Sequence, residues 1–152
     1  MANQVVARYL DGRIVKGSSL DVDASRPICH IRTPDQGTVQ VKLKDLKALF
    51  FVKTLAGNAL HSESSALDPE DERSRGSAPI MLEFADGERV VGLTLRYPPV
   101  KPFFFVLPAD PKSNNRRILV NRAAIVRMAQ PSEAELNAAR SFSDSSLYRS
   151  DD

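Results

Sequence analysis

Tryptophan is absent from this chain of 152 residues, and cysteine occurs once, at Cys29. A single cysteine excludes an internal disulfide and leaves no thiol cluster for a structural metal. Histidine occurs twice, as His30 and His61. His61 falls in a polar stretch. His30 stands beside Cys29 in a strand-like segment, where neighbouring side chains face opposite ways, so the two form no dyad. No spacing of His, Cys and carboxylates matches a metal site, and Walker, G-x-G-x-x-G and nucleophile-elbow patterns are all missing. The expectation is a non-enzymatic protein with no cofactor.

Long apolar runs are missing too. Nothing approaches the roughly 18 to 20 residues of a membrane span. Met1-Ala2-Asn3-Gln4 lacks the basic and apolar regions of a signal peptide. A cytoplasmic protein without membrane contact is expected. Glycine is scarce beside proline, seven against ten, which suits short strands and turns better than long helices.

What the chain does have is an internal repeat. Displaced by 75 residues, Asp11-Gly12 falls on Asp86-Gly87, Val15 on Val90, Gly17 on Gly92, Leu20 on Leu95, Pro27 on Pro102 and Asp35 on Asp110. The match resumes after a two-residue insertion, pairing Leu43-Lys44 with Val120-Asn121 and Leu49 with Val126. Each copy alternates apolar and polar residues with period two, as strands do. In the first copy strands are expected around residues 5–10, 14–22, 28–32, 39–44 and 48–53. In the second they fall around 80–84, 89–97, 103–107, 118–120 and 125–128. The Asp-Gly pairs suit type I′ hairpin turns, which makes Asp11 and Asp86 structural rather than catalytic. Gly17 and Gly92 sit inside strands and mark bends.

This pattern predicts an all-β fold: two tandem five-stranded small barrels packed on each other, with a short C-terminal helix. Residues 1–55 form the first unit and residues 79–130 the second. Between them, residues 56–78 are Ser- and acid-rich and lack periodicity, which marks a flexible linker. Within residues 131–152, Ser132 and Glu135 have the spacing of a capping box, so a helix over about 133–140 precedes an acidic tail. Each unit is small enough for a lone core to be marginal. The runs Leu49-Phe50-Phe51-Val52 and Phe103-Phe104-Phe105-Val106 are apolar on both faces, so each unit is expected to cover the other. Phe51 and Phe104 are the candidate interface residues, toward either the sister unit or a partner.

Charge is unevenly spread. Residues 1–58 and 79–130 each carry a basic excess of four, and residues 59–78 and 131–152 each an acidic excess of three. Two polar constellations stand out as candidate binding sites. Lys42, Lys44 and Lys47 form a basic stripe able to follow phosphates, or to guard an edge strand. Ser113, Asn114, Asn115, Arg116 and Arg117 form a loop whose amides and guanidiniums suit phosphate, carboxylate or base.

Residues 5–17 resemble the first two strands of an Sm-like or SH3-like barrel, which implies RNA binding. Asp23-Ala24-Ser25-Arg26-Pro27 resembles the Asp-x-Ser motif of PilZ domains, which implies a cyclic dinucleotide ligand. Residues 4–130 as a whole resemble a two-repeat bacterial family. The shared motifs are Asp-Gly-Arg-x-x-Lys-Gly at 11–17, Lys-Asp-Leu-Lys-Ala-x-Phe-Phe-Val-Lys at 44–53, and Pro-Ala-Asp-Pro-x-Ser-Asn-Asn at 108–115. That resemblance implies association with PilZ-type signalling and supplies no catalytic residues. The leading expectation is a regulatory adaptor acting through a protein partner. Single-stranded nucleic acid and an anionic ligand such as a cyclic dinucleotide are the alternatives.

Overall fold

A computed structural model of the chain describes residues 2–35, 37–57 and 71–131. They form an all-β structure. The strands are β1 (Asn3–Tyr9), β2 (Ile14–Ser19), β3 (Ile28–Arg32), β4 (Thr38–Lys42) and β5 (Leu46–Val52), then β6 (Ala78–Phe84), β7 (Arg89–Thr94), β8 (Phe103–Pro108), β9 (Asn115–Asn121) and β10 (Ile125–Ala129). One antiparallel sheet holds all ten, in the order β10-β6-β7-β8-β9-β5-β1-β2-β3-β4. The first five strands run β5-β1-β2-β3-β4 and the second five β10-β6-β7-β8-β9, the same order position for position. The pairing of β5 with β9 joins the halves. The free edges are β4 and β10, where Lys42 and Arg127 are exposed. Charge at an edge discourages pairing with other chains.

The strand registers correct the sequence alignment. Ile28 pairs with Lys42, and its counterpart Phe103 pairs with Asn121. Ala7 pairs with Leu49, and its counterpart Leu82 pairs with Met128. Beyond the β8–β9 connection the offset between halves is therefore 79, and the insertion is four residues rather than two. A two-residue slip keeps every side chain on its own face of the strand, so alternation alone could not detect it.

The Asp-Gly turns differ from expectation as well. Gly12 N–H donates to Tyr9 O, and Tyr9 N–H to Arg13 O. Gly87 and Phe84 repeat the pattern with Phe84 O and Glu88 O. These are three-residue loops closed by a left-handed glycine, at φ +95° and +91°, in place of two-residue type I′ turns. Asp11 and Asp86 brace them by accepting the N–H of Arg13 and Glu88, each at 3.0 Å.

Two apolar cores share the central strands. Every residue of β5 is buried. Leu46, Leu49 and Phe51 enter one core, with Val5, Ala7, Ile31 and Val41 of the first half and Leu119 of the second. Ala48, Phe50 and Val52 enter the other, with Ile80, Leu82, Phe84, Phe104 and Val106 of the second half and Val6 of the first. Each phenylalanine run therefore turns one face into its own half's core and the other into its sister's. Phe51 and Phe104 each belong to the core of their own half, while Phe50 and Phe105 cross into the sister's; the Phe51 ring lies 5.9 Å from that of Phe105.

Polar bonds tie the same seam. Asn121 Nδ2 donates to Leu46 O at 2.8 Å, while its Oδ1 accepts Ala123 N–H. Within the stretch expected to be a linker, Glu72–Ser74 form a 3-10 turn capped by Asp71. The expected helix over 133–140 and the acidic tail lie outside the described residues, as do residues 58–70 and His61.

Candidate functional site

The sequence-derived candidates divide by what their side chains already do. Lys42 and Lys44 are exposed, the first on the edge strand β4 and the second in the 3-10 turn Leu43–Asp45. Lys47 is only 8% exposed. Its Nζ donates to Asp86 Oδ2 at 2.7 Å and to Glu88 Oε1, and lies 4.7 Å from the centre of the Phe84 ring. The carboxyl of Asp86 is held below the usual range first by that Lys47 bond, then by the Glu88 N–H. Lys47 thus bridges the halves and is already engaged.

The β8–β9 loop is likewise committed on one side. Ser113 is buried, and its Oγ accepts Asn115 N–H. Asn114 clamps the end of β5: its Oδ1 accepts Thr54 N–H and its Nδ2 donates to Thr54 O at 3.0 Å. Asn115, Arg116 and Arg117 belong to β9 rather than to the loop expected from the sequence, and the two arginines are exposed. The Arg117 guanidinium stacks over Phe51 at 4.2 Å and Phe105 at 4.6 Å. Lys42 lies on β4, far from β9 in the sheet order, whereas Lys47 is on β5, which pairs with β9, four residues along from Phe51, the partner of Arg117.

Three features escaped the sequence. The first is a triad of polar groups on Asp21, which accepts His30 N–H (2.9 Å), His30 Nδ1 (2.7 Å) and Ser19 Oγ (3.1 Å). These bonds, His30 first, hold the Asp21 carboxyl below its usual range. The Ser19 hydroxyl reaches the aspartate and not the imidazole, so the geometry orients His30 without giving it a nucleophile. Cys29 lies on the opposite side of β3, 1% exposed. Burial, then the charge of Asp21, pushes its thiol up to about 11. Among the described residues no group of three or more His, Cys, Asp or Glu is placed to hold a metal ion, and no helix is long and apolar enough to cross a membrane.

The second feature is a largely apolar groove of about 350 Å³ beside the β7–β8 connection. Thr94, Phe103, Phe104 and Phe105 line it from β7 and β8, and Ala24 closes it from the first half. Leu95 and Val100 stand on its lip, 86% and 72% exposed. Arg96 and Lys101 flank them. Exposure of two large apolar side chains at one groove is unusual for a solvated loop. The sequence pattern carries the strand on to Tyr97, whereas β7 ends at Thr94 and Leu95 leaves the sheet. The third feature is a wider cleft in the first half, lined by Gln4, Gly17, Ser18, Arg32, Thr33, Pro34 and Leu55.

Comparison with known protein families finds a match over residues 1–130, which takes in all ten strands. The chain belongs to DUF6982. This is a family of unknown function, so the DUF6982 match assigns no role to the groove, the cleft or the polar loop. No curated protein and no solved structure matches the chain.

Proposed function

We propose that this DUF6982 protein is a non-enzymatic adaptor that binds a partner protein through the groove beside the β7–β8 connection. The observation that carries the reading is the pairing of Leu95 and Val100, exposed on its lip, with Arg96 and Lys101 alongside. Apolar surface with a basic rim suits a segment that places a bulky apolar side chain in the groove and carboxylates around it. Burying one such side chain contributes about 2 kcal/mol. We also propose that each half is a small barrel of the Sm-like or SH3-like kind, a reading supported by the identical strand order in the two halves. Such a rigid double unit holds the groove in place and suits a regulatory, signalling role. Binding of nucleic acid or a cyclic dinucleotide ranks lower, since Lys47, Ser113 and Asn114 are engaged internally.

A peptide-display selection against the full chain tests the adaptor reading. Enriched sequences should combine Phe, Leu or Trp with Asp or Glu. They should lose at least about tenfold in affinity, or about 1.4 kcal/mol, on a folded Leu95→Asp/Val100→Asp variant. A selection without enrichment overturns the proposal, as do peptides that bind that variant equally well.

A further inference from the structure

The two halves carry equivalent corners in different states of occupancy. A Cβ added to Gly17 would fall 2.1 Å from Arg32 O, and one added to Gly92 would fall 2.1 Å from Leu107 O. The same offset of 75 relates both pairs, so β2 approaches β3 at the position where β7 approaches β8, though through one registered pair against three. In the second half the corner is filled. Asp71 accepts Arg73 N–H at 2.9 Å and also holds the guanidinium, with Nη2 to Oδ2 at 2.7 Å. The remaining guanidinium donors reach the end of β8: Nη1 to Pro108 O at 2.9 Å and Nη2 to Ala109 O at 3.1 Å. An arginine fixed by its own aspartate thus satisfies two carbonyls where β8 leaves the sheet.

In the first half the counterparts of Pro108 and Ala109 are Thr33 and Pro34. They line an open cleft of about 710 Å³ with Gln4, Gly17, Ser18, Arg32 and Leu55. That volume lies within the usual range of ligand sites, about 300 to 1,000 Å³. Its lining is more polar than the filled corner: Gln4, Ser18 and Thr33 stand where the second half has Pro79, Leu93 and Pro108. Arg32 stands where the second half has Leu107, and so adds a cation that suits an acidic neighbour of the incoming arginine.

We infer that this cleft is a second protein-binding site, and that it takes an Asp-x-Arg turn presented by a partner protein. The guanidinium would occupy the place relative to Thr33 and Pro34 that Arg73 holds relative to Pro108 and Ala109. The turn's carboxylates would face Arg32. The site is separate from the groove beside the β7–β8 connection and does not depend on it.

The chain's own turn supplies the probe. A labelled peptide of residues 69–78 is titrated against the full chain by fluorescence polarisation, with amide shifts followed by NMR. Saturable binding is expected, with the amides of Gly17, Ser18 and Thr33 moving and those of Gly92, Leu93 and Ala109 still. Changing the peptide's Arg73→Ala should weaken binding about tenfold or more. Ser18→Trp in the protein should block the cleft, while Leu95→Asp should leave peptide affinity unchanged. No binding at millimolar peptide overturns the inference. So do shifts confined to the second half, and equal affinity of the Arg73→Ala peptide. The NMR readout decides the matter even if the Ser18→Trp chain fails to fold.

Discussion

Replacing Gly92 by alanine should be among the most damaging single-methyl changes in this protein. The added Cβ would stand 2.1 Å from Leu107 O, 2.8 Å from Val106 Cγ1 and 3.0 Å from Leu107 C. Comfortable contact requires about 3.5 Å, so β7 and β8 would have to part by roughly 1 Å or more. Two of the three close atoms are backbone, which cannot rotate away as a side chain would. Three registered pairs would be strained: Gly92 with Pro108, Leu93 with Leu107, and Thr94 with Val106. Overpacking costs about 1 to 3 kcal/mol and each weakened hydrogen bond about 1 more. A loss of about 3 kcal/mol is expected.

Gly17→Ala meets the same 2.1 Å contact, with Arg32 O, but there β2 and β3 are joined by one registered pair, Ser18 with Arg32. That junction can open at a lower cost, about 1 to 2 kcal/mol. Gly12→Ala is the control. Nothing lies within 4 Å of its Cβ position, and only the left-handed backbone, φ +95°, opposes it, at about 1 kcal/mol. Urea unfolding with a slope of about 2 kcal/mol/M would show midpoint shifts of about 1.5 M for Gly92→Ala and less for the others. A Gly92→Ala chain within about 0.5 kcal/mol of the parent would refute the reasoning, and so would one more stable than Gly17→Ala.

Lys47→Met keeps an apolar stem over Phe84 and removes the ammonium that joins Asp86 and Glu88. Both carboxylates are about half exposed and can rehydrate, so a loss of only about 1 kcal/mol is expected by urea unfolding. A loss above about 3 kcal/mol would mean that the pair behaves as fully buried. Asp21, Asp71 and Asp86 all have folded-state pKa values below the ordinary 3.8. The unfolded chain therefore binds more protons in acid, and the stability they contribute is complete above that value and lost as pH falls through the folded values. Thermal unfolding should show Asp71→Asn losing less between pH 5 and pH 3 than the parent does; an equal loss would remove Asp71 from the account. Cys29, buried and with its thiol pushed up to about 11, should resist a thiol-reactive disulfide reagent in mildly alkaline buffer and react at once in concentrated guanidinium. Fast labelling of the native chain would contradict that burial.

The strands were legible because alternation, Asp-Gly turns and paired prolines are local signals. The span Ile28–Arg32 matches to the residue, and of the residues whose alternation points inward, Val41, Leu43, Ile80, Leu82 and Phe84 are buried while Val39 is half-buried. Burial on both faces of Leu49-Phe50-Phe51-Val52 also followed from the lack of alternation there. What could not be read depends on distance through space. Lys47 looked like part of a surface stripe because its partners lie 39 and 41 residues away. Arg73 looked like linker because its acceptors, Pro108 and Ala109, belong to β8 and the residue after it. The groove and the cleft arise where chain segments from different strands meet, and no periodicity reports on such voids.

The exchange of residues between the two cores sets the terms on which the sequences of the two halves can change. Val6 of the first half belongs to the second core, and Leu119 of the second half to the first. A half cut free would expose the face of β5 or β8 that its sister now covers, so the copies are expected to fold in one cooperative step. Mutational drift is coupled in the same way. A change in volume at Phe50 or Phe105 must be accommodated by the opposite copy, which restrains the seam while leaving the outer corners free to differ. Those corners are where the halves differ: one is closed by an arginine turn, and the other is open.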